Sequence, residues 1–154
     1  MLIGVISDTH GLLRPEALRI LRGVNHIIHA GDIGTPEVIY ALRAVAPVTA
    51  VRGNVDRGAW VAEFPQRQQI TLEGVRLLIL HDRHELLEQP ADPEVRVIVT
   101  GHSHRALVET RDGVLYLNPG SAGPRRFRLP VSVALLTLQH GELRAEIVDL
   151  GALR

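Results

Sequence analysis

A chain of 154 residues has the size at which about 68–70% of the unfolded surface is buried on folding, so a core forms without covalent staples. It contains no Cys, which removes disulfides, thiolate nucleophiles, Cys-ligated zinc and iron–sulfur clusters. The 17 basic residues, all Arg, balance 17 acidic ones, which excludes lysine Schiff-base and P-loop lysine chemistry and leaves no overall positive field for a dedicated nucleic-acid binder.

Five aromatic residues offer little for base stacking, although a nucleotide or a strand end remains open as a substrate. Met1 runs directly into the apolar stretch Leu2 to Ile6 with no charged leader, so a cytoplasmic, non-secreted protein is expected. The longest apolar runs, Leu77 to Leu80 and Val131 to Leu138, fall far short of the roughly 20 residues that span a bilayer, so no membrane partner is expected.

Leu2 to Ile6 reads as a buried strand, followed by a polar turn over Ser7 to Gly11. Pro15 opens a helix whose apolar face carries Ala17, Ile20, Leu21 and Val24. His26 to His29 is a short strand leading into Ala30-Gly31-Asp32. Thr35 caps a second helix, with Pro36 in its first turn and Val38, Ala41, Leu42 and Val45 facing inward. Pro47 to Val51 is a third strand, and such alternation implies parallel strands with right-handed crossovers. Arg57 to Arg67 reads as loop. Gln68 to Leu72 and Val75 to Leu80 flank Glu73-Gly74 as a hairpin, and Arg83 to Glu94 reads as a short helix or an irregular lid. Val95 to Thr100 is another buried strand, Arg111-Asp112-Gly113 turns between two more, and Val131 to Leu138 and Leu143 to Val148 flank His140-Gly141. The expected fold class is α/β, one layered domain over residues 1–154 with two packed mixed β-sheets flanked by helices.

Chemistry-bearing residues gather at the ends of these strands. Asp8 and His10 follow the first, Asp32 the second, Asn54 and Asp56 the third, His81 ends Val75 to Leu80, and His102 and His104 end Val95 to Thr100. Taken singly, each has a plain structural reading as a capping Asp or a hydrogen-bonded imidazole. Loops at the carboxyl ends of adjacent parallel strands converge on one crevice, and five such ends make coincidence a poor account. Gly31 and Gly53 permit sharp turns or close approach just before Asp32 and Asn54. His26, His29, His84 and His140 lack this placement and are read as structural.

Asp8-x-His10, Gly31-Asp32, Gly53-Asn54-x-Asp56, His81 and Gly101-His102-x-His104 resemble, in order, the motifs of the calcineurin-like metallophosphoesterases. Within that superfamily the chain is similar to the small bacterial and archaeal phosphodiesterases related to the phosphoesterase-like subunit of retromer. Asn118-Pro119-Gly120-Ser121, with Pro124-Arg125 beyond, also resembles a segment of this subgroup, and the resemblance covers essentially the whole chain.

The resemblance implies the layered metallophosphoesterase fold and a dinuclear centre in which Asp32 bridges two metals. Asp8, His10 and His104 complete one ion; Asn54, His81 and His102 complete the other, with Asn54 also taken as catalytic. Two carboxylates against two divalent cations leave about two positive charges for an anionic phosphate and a hydroxide. Mixed imidazole and carboxylate ligation suits Mn, taken first, and Fe, Co, Ni or Zn, rather than Ca or Mg. The implied reaction uses a metal-bridging hydroxide and no protein nucleophile. Asp56 is expected to hold a ligand imidazole. Arg125, ahead of Arg126 and Arg128, is expected to bind substrate phosphate, the alternative being a solvated basic loop.

Two departures narrow this expectation. Val55 stands where many relatives have a His that assists the leaving group, which shifts the expected substrate from monoesters to small or nucleotide-like diesters. Asp82 stands where Gly usually follows the ligand His, adding a carboxylate that either supports a ligand or disturbs substrate entry. The expected function is therefore a metal-dependent phosphodiesterase. The alternatives are a non-catalytic scaffold like the retromer subunit, which has no need of all seven ligands, and a phosphomonoesterase or nucleotidase. A symmetric homo-oligomer is expected.

Overall fold

The computed structural model describes residues 1–153, with side chains as far as Gly151. In chain order it has β1 (Leu2–Ile6), α1 (Pro15–Leu21), β2 (His26–His29), α2 (Pro36–Arg43) and β3 (Val48–Ala50), then β4 (Arg67–Leu72) and β5 (Val75–Leu80). Next come β6 (Val97–Val99), β7 (Leu107–Arg111), β8 (Val114–Asn118), β9 (Ser132–Gln139) and β10 (Glu142–Asp149). The stretch read as loop holds a 3-10 turn at Ala59–Glu63, and the ambiguous stretch after β5 opens with another at Arg83–Leu87.

Two five-stranded mixed sheets result, in the orders β10-β9-β1-β2-β3 and β4-β5-β6-β8-β7. β1, β2 and β3 are parallel, as are β5, β6 and β8; the remaining neighbours are antiparallel. The three expected hairpin turns are two-residue loops with both φ angles positive: Glu73-Gly74 (50°, 75°), Asp112-Gly113 (51°, 78°) and His140-Gly141 (52°, 77°). This is the geometry whose twist matches paired strands, and it accounts for His140 as a turn residue.

Ile3, Val5, Ile28 and Val51 meet Leu77, Ile79, Val97 and Val99 between the sheets. Ile6, Ile27 and Ala50 instead face the helices, against Ala17, Leu21, Val38, Ile39 and Leu42. Both faces of the central strands are thus covered, which is why β1 is an apolar run without polar alternation. Two expectations for α2 are corrected. Ile39 is fully buried whereas Ala41 is only half-buried, because the apolar stripe of a core helix is wider than one ridge. Thr35 occupies the N-cap position but its side chain makes no capping hydrogen bond. No described helix is long and apolar enough to cross a membrane.

The loops leaving β1, β2, β5 and β6 are laced together by backbone. Asp8 N–H donates to Gly31 O at 3.0 Å, His10 N–H to Asp32 O at 2.9 Å, and Gly101 N–H to His81 O at 3.0 Å. Residues far apart in sequence therefore meet along one rim.

Candidate metal centre

On that rim the backbone is strained. Asp8, His10, Asp32, His102 and His104 have φ of 54°, 47°, 54°, 68° and 62°. The left-handed region costs an L-residue about 1–2 kcal/mol. Of the other non-glycine cases among the described residues, Glu73, Asp112 and His140 are hairpin tips and Phe127 lies in a surface loop. Clustered strain of this kind marks side chains aimed for function. Crowding adds to it: a Cβ on Gly53 would overlap Asp32 Oδ1, and a Cβ on Gly101 would overlap Ser7 Oγ and stand 2.7 Å from Asp8 Oδ2.

Asp8 Oδ1 lies 3.3 Å from His104 Nε2, 3.7 Å from His10 Nε2 and 3.8 Å from His81 Nε2. Asp32 Oδ2 lies 3.1 Å from His81 Nε2 and 3.8 Å from His10 Nε2. The ligand atoms of Asp8, His10 and His104 fall within 4.8 Å of one another, as do those of Asp8, Asp32 and His81. Four buried atoms here, Asp8 Oδ1, His10 Nε2, His81 Nε2 and His104 Nδ1, have no hydrogen-bond partner. Buried polar atoms are almost always satisfied, so carboxylate and imidazole orphans in one place fit a bound cation. The donor types suit divalent transition metals.

The supports of these ligands set their protonation. Burial opposes the charged form of Asp8, but His10, His104, His81 and the Ser7 hydroxyl, which donates to Oδ2 at 2.7 Å, hold its carboxyl far below the usual range. His102 N–H also donates to Asp8 Oδ2, at 3.1 Å. For Asp32, burial is likewise outweighed by His81 and by Val55 N–H, which donates to Oδ1 at 3.1 Å, so its pKa is lowered. His81 Nδ1–H donates to Ala30 O at 2.7 Å, which turns Nε2 toward the carboxylates. Burial lowers its pKa, but Asp32 and Asp8 prevail and raise it to about 9.

His29, beneath the rim, behaves oppositely. It is completely buried, and that burial lowers its pKa to about 4. Its Nδ1 accepts from Gly31 N–H at 3.1 Å, so Nε2–H donates to Thr9 Oγ1 at 3.0 Å, and Thr9 passes its own proton to Ile33 O at 2.8 Å. Between pH 6.5 and about 4 the unfolded chain binds a proton that folded His29 does not. Its contribution to stability is full above pH 6.5 and is lost as pH falls through this window, at about 1.4 kcal/mol per pH unit. Urea titrations at constant chelator concentration should show this slope, and His29→Gln, which keeps both polar partners, should flatten it by one proton.

Asn54 and His102 stand outside the tight cluster. Both line a cleft of about 340 Å³ whose walls include His81, Arg52, Gln66, Asp82 and Glu85. His102 Nε2 is 3.7 Å from Asp82 Oδ2, so the additional carboxylate sits beside an expected ligand. One expectation is corrected. Asp56 holds no imidazole: its carboxylate accepts from Ile33, Gly34 and Gly53 N–H at 3.1, 2.9 and 2.8 Å, stapling the loops that carry Asp32 and Asn54. The Ala30 carbonyl does for His81 what Asp56 was expected to do. Arg125 is exposed and lines a different cavity, with Arg14, Glu16 and Asp149, because the chain leaves the rim at Gly123.

Arg52 was missed. It is the arginine on the cleft wall, with Nη1 donating to Phe64 O at 2.8 Å, and its only sequence signal was adjacency to Gly53-Asn54. Asn118 was noted only as part of a resembling segment. It braces the His102–His104 loop through Gly101 O at 2.9 Å and Ser103 Oγ at 3.2 Å.

Residues 1–141 match the calcineurin-like phosphoesterase superfamily domain. The chain belongs to this superfamily. A probable metallophosphoesterase of Methanothermobacter thermautotrophicus is 35% identical, the match covering 99% of this chain and 94% of that one. A solved archaeal phosphodiesterase is 25% identical with a TM-score of 0.79, covering 96% of this chain and 100% of that one. Vps29 of Entamoeba histolytica, solved with Zn²⁺, shares the fold with a TM-score of 0.76 and 23% identity over 97% of this chain and 99% of that one.

Superfamily membership brings divalent metal ions, and the clustered donors of this phosphoesterase suit them. Val55, directly after Asn54, is 43% exposed, and its side chain carries no proton to donate.

Proposed function

We propose that this phosphoesterase hydrolyses phosphodiesters, using two divalent ions that Asp8, His10, Asp32, Asn54, His81, His102 and His104 would hold. The observation that carries this reading is the set of four unpaired buried atoms around two ionised carboxylates. When bound, such ions supply Lewis acidity to the phosphoryl oxygens and lower the pKa of water. The chain's part is to keep Asp8 and Asp32 charged and aimed, through Ser7, His102 N–H and Val55 N–H, and to lock the His81 tautomer through Ala30. A water oxygen forms the new bond to phosphorus, the bond to the leaving alcohol breaks, and the leaving oxygen takes its proton from solvent because Val55 has none to offer. Such a site favours diesters whose leaving groups need little protonation. Five strained backbone positions at the candidate ligands support the enzyme reading over the alternative of a non-catalytic scaffold, which the Vps29 neighbours fit.

The test loads purified protein with Mn, Co, Ni or Zn, Mn being the first choice, and assays bis(p-nitrophenyl) phosphate beside p-nitrophenyl phosphate. Metal-dependent turnover with the diester preferred by about tenfold or more, at least 1.4 kcal/mol of barrier, is expected. No metal-dependent turnover of either compound sinks the enzyme reading, and faster monoester hydrolysis sinks the diester preference. Metal affinity should weaken as pH falls below about 9, since His81 must give up its proton to bind.

A further inference from the structure

The segment that leaves the metal centre for β9 carries a feature that the hydrolytic site does not use. Residues 124–128 are all exposed. Leu129 N–H donates to Arg126 O at 3.1 Å, closing a turn with Phe127 and Arg128 at its tip. Phe127 has a φ of 53°, a conformation that turns give to Gly, Asn or Asp and that costs other residues about 1–2 kcal/mol. Its ring is 96% exposed, so no burial offsets that cost. Arg125, Arg126 and Arg128 surround it, whereas the Arg–carboxylate pairs among the described residues involve Arg43, Arg76, Arg83 and Arg111. Among the described residues no carboxylate pairs with these three guanidiniums and nothing covers the phenyl ring.

Both ends of this loop are tied to the metal centre. On the way in, Ser121 Oγ donates to Asp8 O at 3.1 Å and Ala122 N–H to Ser7 O at 3.0 Å. Arg14 holds Gly123 O at 3.2 Å through both Nε and Nη2. On the way out, Leu129 and Pro130 line a cavity of about 330 Å³ together with His104 and Arg105. The roots of the loop therefore lie beside Asp8 and His104.

We infer that the loop 124–128 binds single-stranded nucleic acid, which makes an oligonucleotide strand the substrate class of the phosphodiesterase proposed above. A strand presents together the two things this tip can hold. Flat bases stack on an exposed ring for about 1–3 kcal/mol each without regard to sequence, and phosphates recur at every nucleotide for guanidinium forks. An anionic membrane would engage the arginines at about 1 kcal/mol each, but basic clusters that recognise lipid surfaces carry about 4–8 cations, and the segment 124–128 carries only Arg125, Arg126 and Arg128. The neutral chain has no field to gather nucleic acid from a distance. The grip is local, and about three phosphate contacts give a log–log salt slope of about −2.

The test measures fluorescence anisotropy of a labelled ten-nucleotide phosphorothioate single strand, which keeps charge and bases but resists hydrolysis, against the metal-loaded full chain. Saturable binding with that salt slope is expected. Phe127→Ala and the double variant Arg126→Gln/Arg128→Gln should each weaken it about tenfold, while Arg144→Gln, near the far end of β10, leaves it intact; melting temperatures check folding. No saturable binding, equal binding by the loop variants, an equal loss in Arg144→Gln, or binding to phosphatidylserine vesicles in place of the strand would each overturn the inference. The cleavage role rests on the phosphodiesterase reading, but strand binding does not. Failure of aryl-diester turnover sinks that reading alone, whereas intact turnover without strand binding sinks only this inference.

Discussion

Asp32→Ala lowers bound divalent metal from two per chain to one or none and reduces turnover of bis(p-nitrophenyl) phosphate by about 10³-fold, the several kcal/mol that loss of metal catalysis withdraws. Asp32 is 3% exposed, and its Oδ2 faces both His81 and His10; the bridging role is the proposed reading's, since Asp8 is the carboxylate shared by both donor groups. Asp32→Asn separates aim from charge. It retains an oxygen that can accept from Val55 N–H, as Oδ1 does at 3.1 Å, but supplies no negative charge. Asparagine should therefore preserve the melting temperature measured with chelator present while still losing metal and activity. Inductively coupled plasma mass spectrometry of the dialysed proteins gives the stoichiometry, and two equivalents retained by Asp32→Ala would show that it does not bridge.

Gly101→Ala is expected to damage the centre without removing a ligand. Gly101 has no left-handed backbone to lose, so the effect is steric: the new methyl overlaps Ser7 Oγ and crowds Asp8 Oδ2. Overpacking of this kind costs about 1–3 kcal/mol, which for a chain of this size lowers the melting temperature by about 2–12 °C. The methyl also displaces the carboxylate that the Ser7 hydroxyl and His102 N–H aim, so metal affinity should fall by at least about tenfold, or 1.4 kcal/mol. Calorimetry and metal titration read the two effects separately. A variant with unchanged melting temperature and unchanged metal affinity would refute the close-contact account of this glycine.

The strand order of ligands was legible because both of its components are local. Apolar runs such as Leu2 to Ile6 and Val75 to Leu80 mark strands buried on both faces, and Glu73-Gly74, Asp112-Gly113 and His140-Gly141 carry the turn chemistry that hairpins demand. With strands and turns placed, Asp8, Asp32, Asn54, His81 and His102 follow five strand ends whatever the packing. Helix faces were partly legible: Val38 and Leu42 of α2 are buried as spacing requires, but Ile39 joins them because the sheet beneath is broad enough to cover it.

Orientation was not legible, because it depends on which loop crosses which. His29 and His81 both lie near a strand end and both are buried, yet one is neutral beneath the rim and the other faces two carboxylates; what separates them is Thr9 in one case and Ala30 O in the other, each from a different strand. Asp56 sits two residues past Asn54 but points back at the backbone after β2. Cavity lining was no more legible: Arg52 lines the cleft beside Asn54 and His102, whereas Arg125 lines a different cavity. From the sequence alone came the fold class and the order of the strand ends, since periodicity and turn preference are properties of neighbours along the chain, and, through the resemblance to the superfamily's motifs, the candidate ligands. The tertiary structure decided which side chains face one another, because two sheets must first close and bring loops from distant strands within a few ångströms, leaving five ligand positions in strained backbone and a phenyl ring in water.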